Sequence, residues 1–253
     1  MRGNKKIQEY EEKLSQKTLL DEIHNDLQTL CSEKNRLGQQ KYFKEEVKFI
    51  GCTNTQTRTV AKKYWRIIKN AEWEKGDVLA LSEDLLRKGT FEEGLVGLDL
   101  TEHVVKDLGM DDFEVFEGWL NKYVNNWAHT DEICPHIIGE LLEAYPELAE
   151  RVFGWTKSEN RWVRRASAVT YVLHGRNGKF MKQIFNTAEA LIGDRDDMVQ
   201  KGVGWMLKEA SKADEETVIN FLLKHKDEAS RLVLRYATEK VSSSNRKRVL
   251  EIG

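Results

Sequence analysis

Proline is almost missing: Pro135 and Pro146 are the two in 253 residues. With helix breakers this scarce and apolar positions recurring every three to four residues, the pattern predicts an all-helical chain. Cysteine is scarce as well. Cys31, Cys52 and Cys134 are odd in number, far apart and without paired spacing, so neither a disulfide framework nor a zinc motif is implied. Reduced thiols in a cytosolic protein are the expectation. Long apolar runs are absent, and Met1-Arg2-Gly3-Asn4-Lys5-Lys6 leads into a charged amphipathic segment, so no signal peptide or membrane span is expected and the protein should be soluble.

A basic excess is missing too. The formal net charge of -2 argues against a uniformly basic nucleic-acid binder. Its distribution is uneven, however: residues 151–253 carry 20 Lys+Arg against 13 Asp+Glu, whereas residues 1–150 carry 20 against 29. The asymmetry points to a polyanionic partner for the C-terminal half. Charged residues that merely solvate helix backs are the plain alternative.

What is present is a repeat. The segment Arg161-Trp162-Val163-Arg164-Arg165-Ala166-Ser167-Ala168-Val169 recurs thirty-six positions later as Asp197-Met198-Val199-Gln200-Lys201-Gly202-Val203-Gly204-Trp205, with small residues, a valine and a cation in register. That length accommodates two antiparallel helices, a unit that cannot bury its apolar face alone and must stack on its neighbours. The expected fold is therefore all-α, a curved superhelical solenoid of HEAT-like antiparallel helix pairs. It should form a single domain over 1–253, with an N-terminal helix in 1–38 and repeats in 39–253. Thirty-six residues before Val163 stands Trp127, followed one helical turn later by Asp131. Consecutive units thus place Trp127 with Asp131, then Arg165, then Trp205 along one shared face.

A long charged helix is expected over 5–34, with Ile7, Tyr10, Leu14, Leu19, Ile23, Leu27 and Leu30 as its apolar stripe. After a short amphipathic run containing Tyr42 and Phe43, Gly51 reads as a C-cap and Thr55 as the N-cap of a helix ending near Asn70. Further helices are expected near 75–87, 91–108, 111–124, 132–144, 146–157, 160–174, 178–192, 196–212, 214–225, 227–240 and 243–251. Asn126 and Thr130 read as an irregular joint carrying Trp127 and Asp131.

Four segments, Trp127-Ala-His-Thr-Asp131, Pro146-Glu147-Leu148 before Trp155, Asn160-Arg-Trp162-Val-Arg-Arg165-Ala and Val203-Gly-Trp205-Met-Leu-Lys208-Glu209, agree in order and spacing. Together the chain resembles the AlkD-like DNA alkylation-repair glycosylases, curved stacks of HEAT-like repeats. The likeness extends more faintly to Tyr42 and the turn Phe49-Ile-Gly51-Cys-Thr53, covering roughly 40–240. It implies catalytic roles for Asp131, Trp127 and Trp205, and DNA contacts from Arg165, Tyr42 and Thr53. The cation register adds Arg164, Lys201, Lys208, Arg231 and Arg235 along one groove for duplex DNA. Where the family usually has an acidic residue after the tryptophan, and often an aromatic one before it, this chain has Ala128 and Asn126; Thr53 replaces a polar amide.

The implied chemistry is hydrolysis of the N-glycosyl bond of cationic purines of the 7-methylguanine and 3-methyladenine type, leaving an abasic site. Such a base is already cationic and leaves as a neutral molecule. A general acid is unnecessary, and the developing oxocarbenium ion needs a carboxylate and aromatic faces. Resemblance further implies that the lesion is not drawn into a deep pocket. No cofactor or metal is expected: His129, Asp131, Cys134 and His136 match no tetrahedral zinc spacing, and Pro135 interrupts their register. No phosphate-binding glycine loop, nucleophile elbow or helix-hairpin-helix glycosylase lysine is present. The expected partner is double-stranded DNA carrying alkylated bases, bound by a monomer in the cytoplasm, nucleoid-associated if bacterial. Competing readings are a non-enzymatic binder of damaged or branched DNA and a protein-interaction scaffold. Singly, each residue has an ordinary explanation: core for Trp127 and Trp205, a helix N-cap for Asp131, a surface charge for Arg165. Trp65, Trp119, Trp155 and Trp162 are read as packing residues.

Overall fold

The computed structural model describes residues 15–251, and among them helices carry the fold; no β-strand occurs, only an isolated bridge between Lys48 and Thr90. Among the described residues no helix is long and apolar enough to cross a membrane. The described residues form two compact units, one from residues 15–108 with 123–129 and the other from 109–122 with 130–251.

In the first unit the helices are α1 (Gln16–Leu30), α2 (Glu33–Gln40), α3 (Asn54–Asn70), α4 (Lys75–Lys88) and α5 (Phe91–Glu102). Leu19, Ile23 and Leu27, four residues apart on α1, are buried in one core with Val60, Tyr64 and Ile68 of α3 and Leu81 and Leu85 of α4. The helix expected over 5–34 stops at Leu30, because the Ser32 hydroxyl accepts the Asn35 amide and starts α2; Leu30 is 42% exposed. Ile7, Tyr10 and Leu14 lie outside the described residues. Thr53, not Thr55, caps α3: its hydroxyl accepts the Gln56 amide while the Gln56 side chain accepts the Thr53 amide.

The expectation of three reduced thiols fails for two of them. Cys31 and Cys52 form a disulfide across a sequence separation of 21, and Cys134 is a free buried thiol. Spacing alone could not show this pairing, which depends on where the α1–α2 joint meets the 50–52 turn. That turn is held by the buried carboxylate of Glu92, which accepts the amides of Ile50, Gly51 and Cys52 at 2.8, 2.8 and 3.0 Å. With the thiols goes the argument from them to a cytosolic location.

The second unit contains α6 (Phe113–Lys122) and most of a helical rod that begins as α7 (Trp127–Ile133), widens into a π-helical stretch over Cys134–Ile138, and continues as α8 (Gly139–Ala144). Residues up to His129 cluster with the first unit and those from Thr130 with the second. Pro135 explains the widening: it has no N–H for the carbonyl four residues back, and the Gly139 amide bonds Cys134 in the π pattern. The irregular joint is therefore shorter than expected, and Thr130 and Asp131 are helical. Asn126 caps α7, its side-chain oxygen taking the His129 amide at 3.0 Å. Beyond lie α9 (Ala149–Gly154), α10 (Arg161–Val169), α11 (Val172–Arg176), α12 (Met181–Leu191), α13 (Asp197–Ala210), α14 (Glu215–Lys224), α15 (Arg231–Ala237) and α16 (Ser243–Leu250).

α10 packs on α13 and α13 on α15, and the thirty-six-residue register appears in their hydrogen bonds. Arg164 donates to the Ser158 carbonyl six residues back and to the Asp194 carboxylate thirty residues on. At the equivalent position Gln200 donates to the Asp194 carbonyl six residues back and accepts from Ser230 thirty residues on. Successive loops are thus tied by equivalent polar rungs. Helix approach is close where the repeat has glycine: a Cβ on Gly204 would stand 2.4 Å from the Tyr236 Cβ.

Gly204→Ala should therefore cost about 2 kcal/mol, since the obstacle is a Cβ near backbone and cannot swing aside. Gly76→Ala, on α4 with nothing within 4 Å of the added carbon, should be neutral or slightly stabilising. Thermal melting compares them; equal effects would remove the close-packing account.

Candidate nucleic-acid site

Asp131 lies within α7 and is not the N-cap of a helix starting at Glu132, so that ordinary explanation fails. Its carboxylate accepts both arms of Arg165 from α10, Nε to Oδ1 at 2.9 Å and Nη2 to Oδ2 at 2.8 Å. The third arm, Nη1, donates to the Met198 carbonyl on α13 at 2.5 Å. Arg165 is 5% exposed, while the Asp131 side chain keeps 18% of its surface open. The guanidinium is thus a buried brace and the carboxylate its less buried end. Burial pushes the Asp131 carboxyl above the usual carboxylate range; the charge and hydrogen bonds of Arg165 pull it down, and Glu132 adds to the rise. Trp205, on α13, is half-buried and lies seven residues past Met198, two turns along the same face.

Trp127 belongs to the first unit, where it is half-buried and stacks on Phe43 with ring centroids 5.1 Å apart and planes 15° from parallel. Phe43 in turn meets Phe49 and Phe91 edge-on at 5.2 and 5.5 Å. Phe91 is buried and stacks on His129, whose Nε2 reaches the Phe91 carbonyl at 2.8 Å. The ring passes so near α5 that a Cβ on Gly94 would come within 2.5 Å of it. Tyr42 is 77% exposed, and Thr53 is exposed beside its capping role.

Several cations of the expected ladder have partners within the chain. Arg164 is a rung between loops, bonded to Asp194; Lys201 pairs with Asp197 at 3.2 Å and Lys208 with Glu239 at 2.9 Å. Arg231 donates to the Leu250 carbonyl at the end of α16, and Arg235 is exposed. Arg165 and Lys201, equivalent in the repeat, differ because Arg165 meets a carboxylate on the preceding rod and Lys201 one on its own helix. Trp119, Trp155 and Trp162 are buried, and Trp65 stacks on His103 at 4.4 Å. Sequence reasoning missed Phe43, whose only signal was its place beside Tyr42, and the Met198 carbonyl, which no sequence pattern marks.

The family described as DNA alkylation repair enzyme matches residues 23–241. The chain belongs to this family. DNA is accordingly its partner. A solved structure described as a predicted DNA alkylation repair enzyme from Enterococcus faecalis is similar to it, with a TM-score of 0.74 at 16% identity, covering 84% of this chain and 97% of that one. At that identity the likeness speaks for the fold. No curated protein matches the chain.

Burial pushes the His129 imidazole down to about 4, against a smaller opposing effect of its bond to Phe91. The unfolded chain takes up a proton there near pH 6.5, but the folded chain resists until about pH 4. His129 should therefore cost the fold nothing above pH 6.5 and about 3 kcal/mol as pH falls to 4. Denaturant titrations from pH 7 to 4 should show this slope flattened in His129→Leu; an identical slope in the variant would assign it elsewhere.

Proposed function

We propose that this family member is a monofunctional DNA glycosylase that releases cationic N-alkylated purines of the 7-methylguanine and 3-methyladenine type from duplex DNA, without deep base flipping. The observation that carries the reading is Asp131, a mostly buried carboxylate with 18% of its side-chain surface open, held through both oxygens by a buried arginine and used neither as a helix cap nor as a loop rung. A carboxylate directed at polyanionic DNA hinders plain binding; its use is to meet positive charge that develops during reaction. As the cationic base departs as a neutral molecule, the sugar becomes an oxocarbenium ion. Asp131 stabilises it and orients the attacking water, in the manner of a glycoside hydrolase carboxylate. Trp205, in the same unit, and Trp127, one turn before Asp131 in sequence, are the aromatic residues suited to such a positive charge.

Arg165 serves chiefly to hold Asp131, since all three of its arms are engaged within the chain; a phosphate contact would require exchanging one of them. Phosphate contacts then fall to Tyr42, Thr53 and those lysines and arginines that can leave their carboxylates.

Asp131→Asn should release 7-methylguanine from methylated duplex about a hundredfold more slowly, the usual cost of one well-placed electrostatic contact, while binding the duplex as well or better. Single-turnover release beside equilibrium binding reads both quantities. Parental turnover in this variant would end the glycosylase reading.

The pH profile supplies an independent check. Because the carboxylate form is the useful one, excision should be full above the Asp131 pKa and fall as pH drops through it. Arg165→Gln removes the pull that opposes burial, so its acid limb should move to higher pH. A limb that stays in place would show that Arg165 does not act through Asp131.

A further inference from the structure

The aromatic cluster of the first unit has an internal order. Phe91 is buried, and its amide is fixed by the Lys48 carbonyl at 2.8 Å. Phe43 presents its edge to Phe91 and Phe49 and its face to Trp127. The indole of Trp127, half-buried at the start of α7, therefore has one face covered by a ring that is itself pinned to the interior.

A cation is attracted to an aromatic face only when it lies over that face within about 6 Å of the centroid, so the use of Trp127 depends on where its plane points. A tryptophan near a helix start has several staggered rotamers open to it. From the stack we infer that Phe43 is a positioning residue for the reaction proposed above, on which this inference rests: it fixes the plane of the Trp127 indole and with it the orientation the indole offers to the cationic lesion. In this role Phe43 acts through Trp127. An aliphatic side chain of similar bulk fills the same space but has no plane to stack, whereas tyrosine keeps the plane.

The test compares Phe43→Leu, Phe43→Tyr and the parental chain in single-turnover release of 7-methylguanine and in binding to the same duplex. Phe43→Leu should excise about tenfold more slowly with unchanged binding, and Phe43→Tyr should restore the rate, as expected for a small loss of orientation. The second readout is 19F NMR of chain carrying 5-fluorotryptophan, the Trp127 resonance being the one lost in Trp127→Phe. It should stay single in Phe43→Tyr and split or broaden in Phe43→Leu. An unchanged Trp127 resonance in Phe43→Leu, or full excision by that variant, overturns the inference while leaving the glycosylase reading intact. A parental chain that releases no 7-methylguanine overturns the glycosylase reading, and the role of Phe43 with it. Phe43→Met takes the place of Phe43→Leu should that variant not fold.

Discussion

A guanidinium does not lose its proton, so one buried as deeply as Arg165 must find acceptors for its arms within the protein. It finds them on two helices, the Asp131 carboxylate on α7 and the Met198 carbonyl on α13, and thereby binds three consecutive parts of the second unit at one point. Removing one member of such a pair leaves the other charged and unpaired, at a typical cost of 3–5 kcal/mol. The neighbouring residue repeats the principle at the loops: Arg164 reaches back to the Ser158 carbonyl and forward to Asp194, and Gln200 does the same one repeat later with a neutral side chain. Two adjacent arginines on one helix thus divide the work, one tying loops and one bracing a carboxylate.

The first unit is organised around the start of α5. Phe91 anchors the aromatic cluster that reaches Trp127, and the next residue, Glu92, gathers three amides of the 50–52 turn. Candidate contacts that are exposed, Tyr42 and Thr53, therefore sit close in sequence to backbone held from the interior. Preorganisation of this kind keeps the ordering cost of binding low.

Helix content was legible because periodicity and the lack of proline act locally, and the thirty-six-residue register was legible because equivalent rungs need equivalent side chains. Caps were only partly legible. Thr53 with Gln56 and Asn126 before His129 are ordinary capping patterns, yet Thr55 and the presumed joint at Thr130 competed with them, and only backbone geometry chooses. Where the cations fall in the register was legible, but whether an arginine faces solvent or a carboxylate thirty residues away depends on packing. The pairing of Cys31 with Cys52 and the stack of Phe43 on Trp127 are long-range contacts between segments that share no motif. Asp131 was singled out by its company in sequence; its brace became visible only with α10 and α13 in place.

The disulfide also bears on how the protein is handled at the bench. Closing a loop of separation 21 restricts the unfolded ensemble by an amount worth about 3 kcal/mol in the chain-entropy account. Chain kept in a thiol reductant, as is customary for DNA-processing enzymes, and chain kept without it are then two covalent species that differ in mass by two hydrogens. Melting curves, protease resistance and shelf life collected in the two buffers describe different molecules, and an intact-mass spectrum should accompany each preparation.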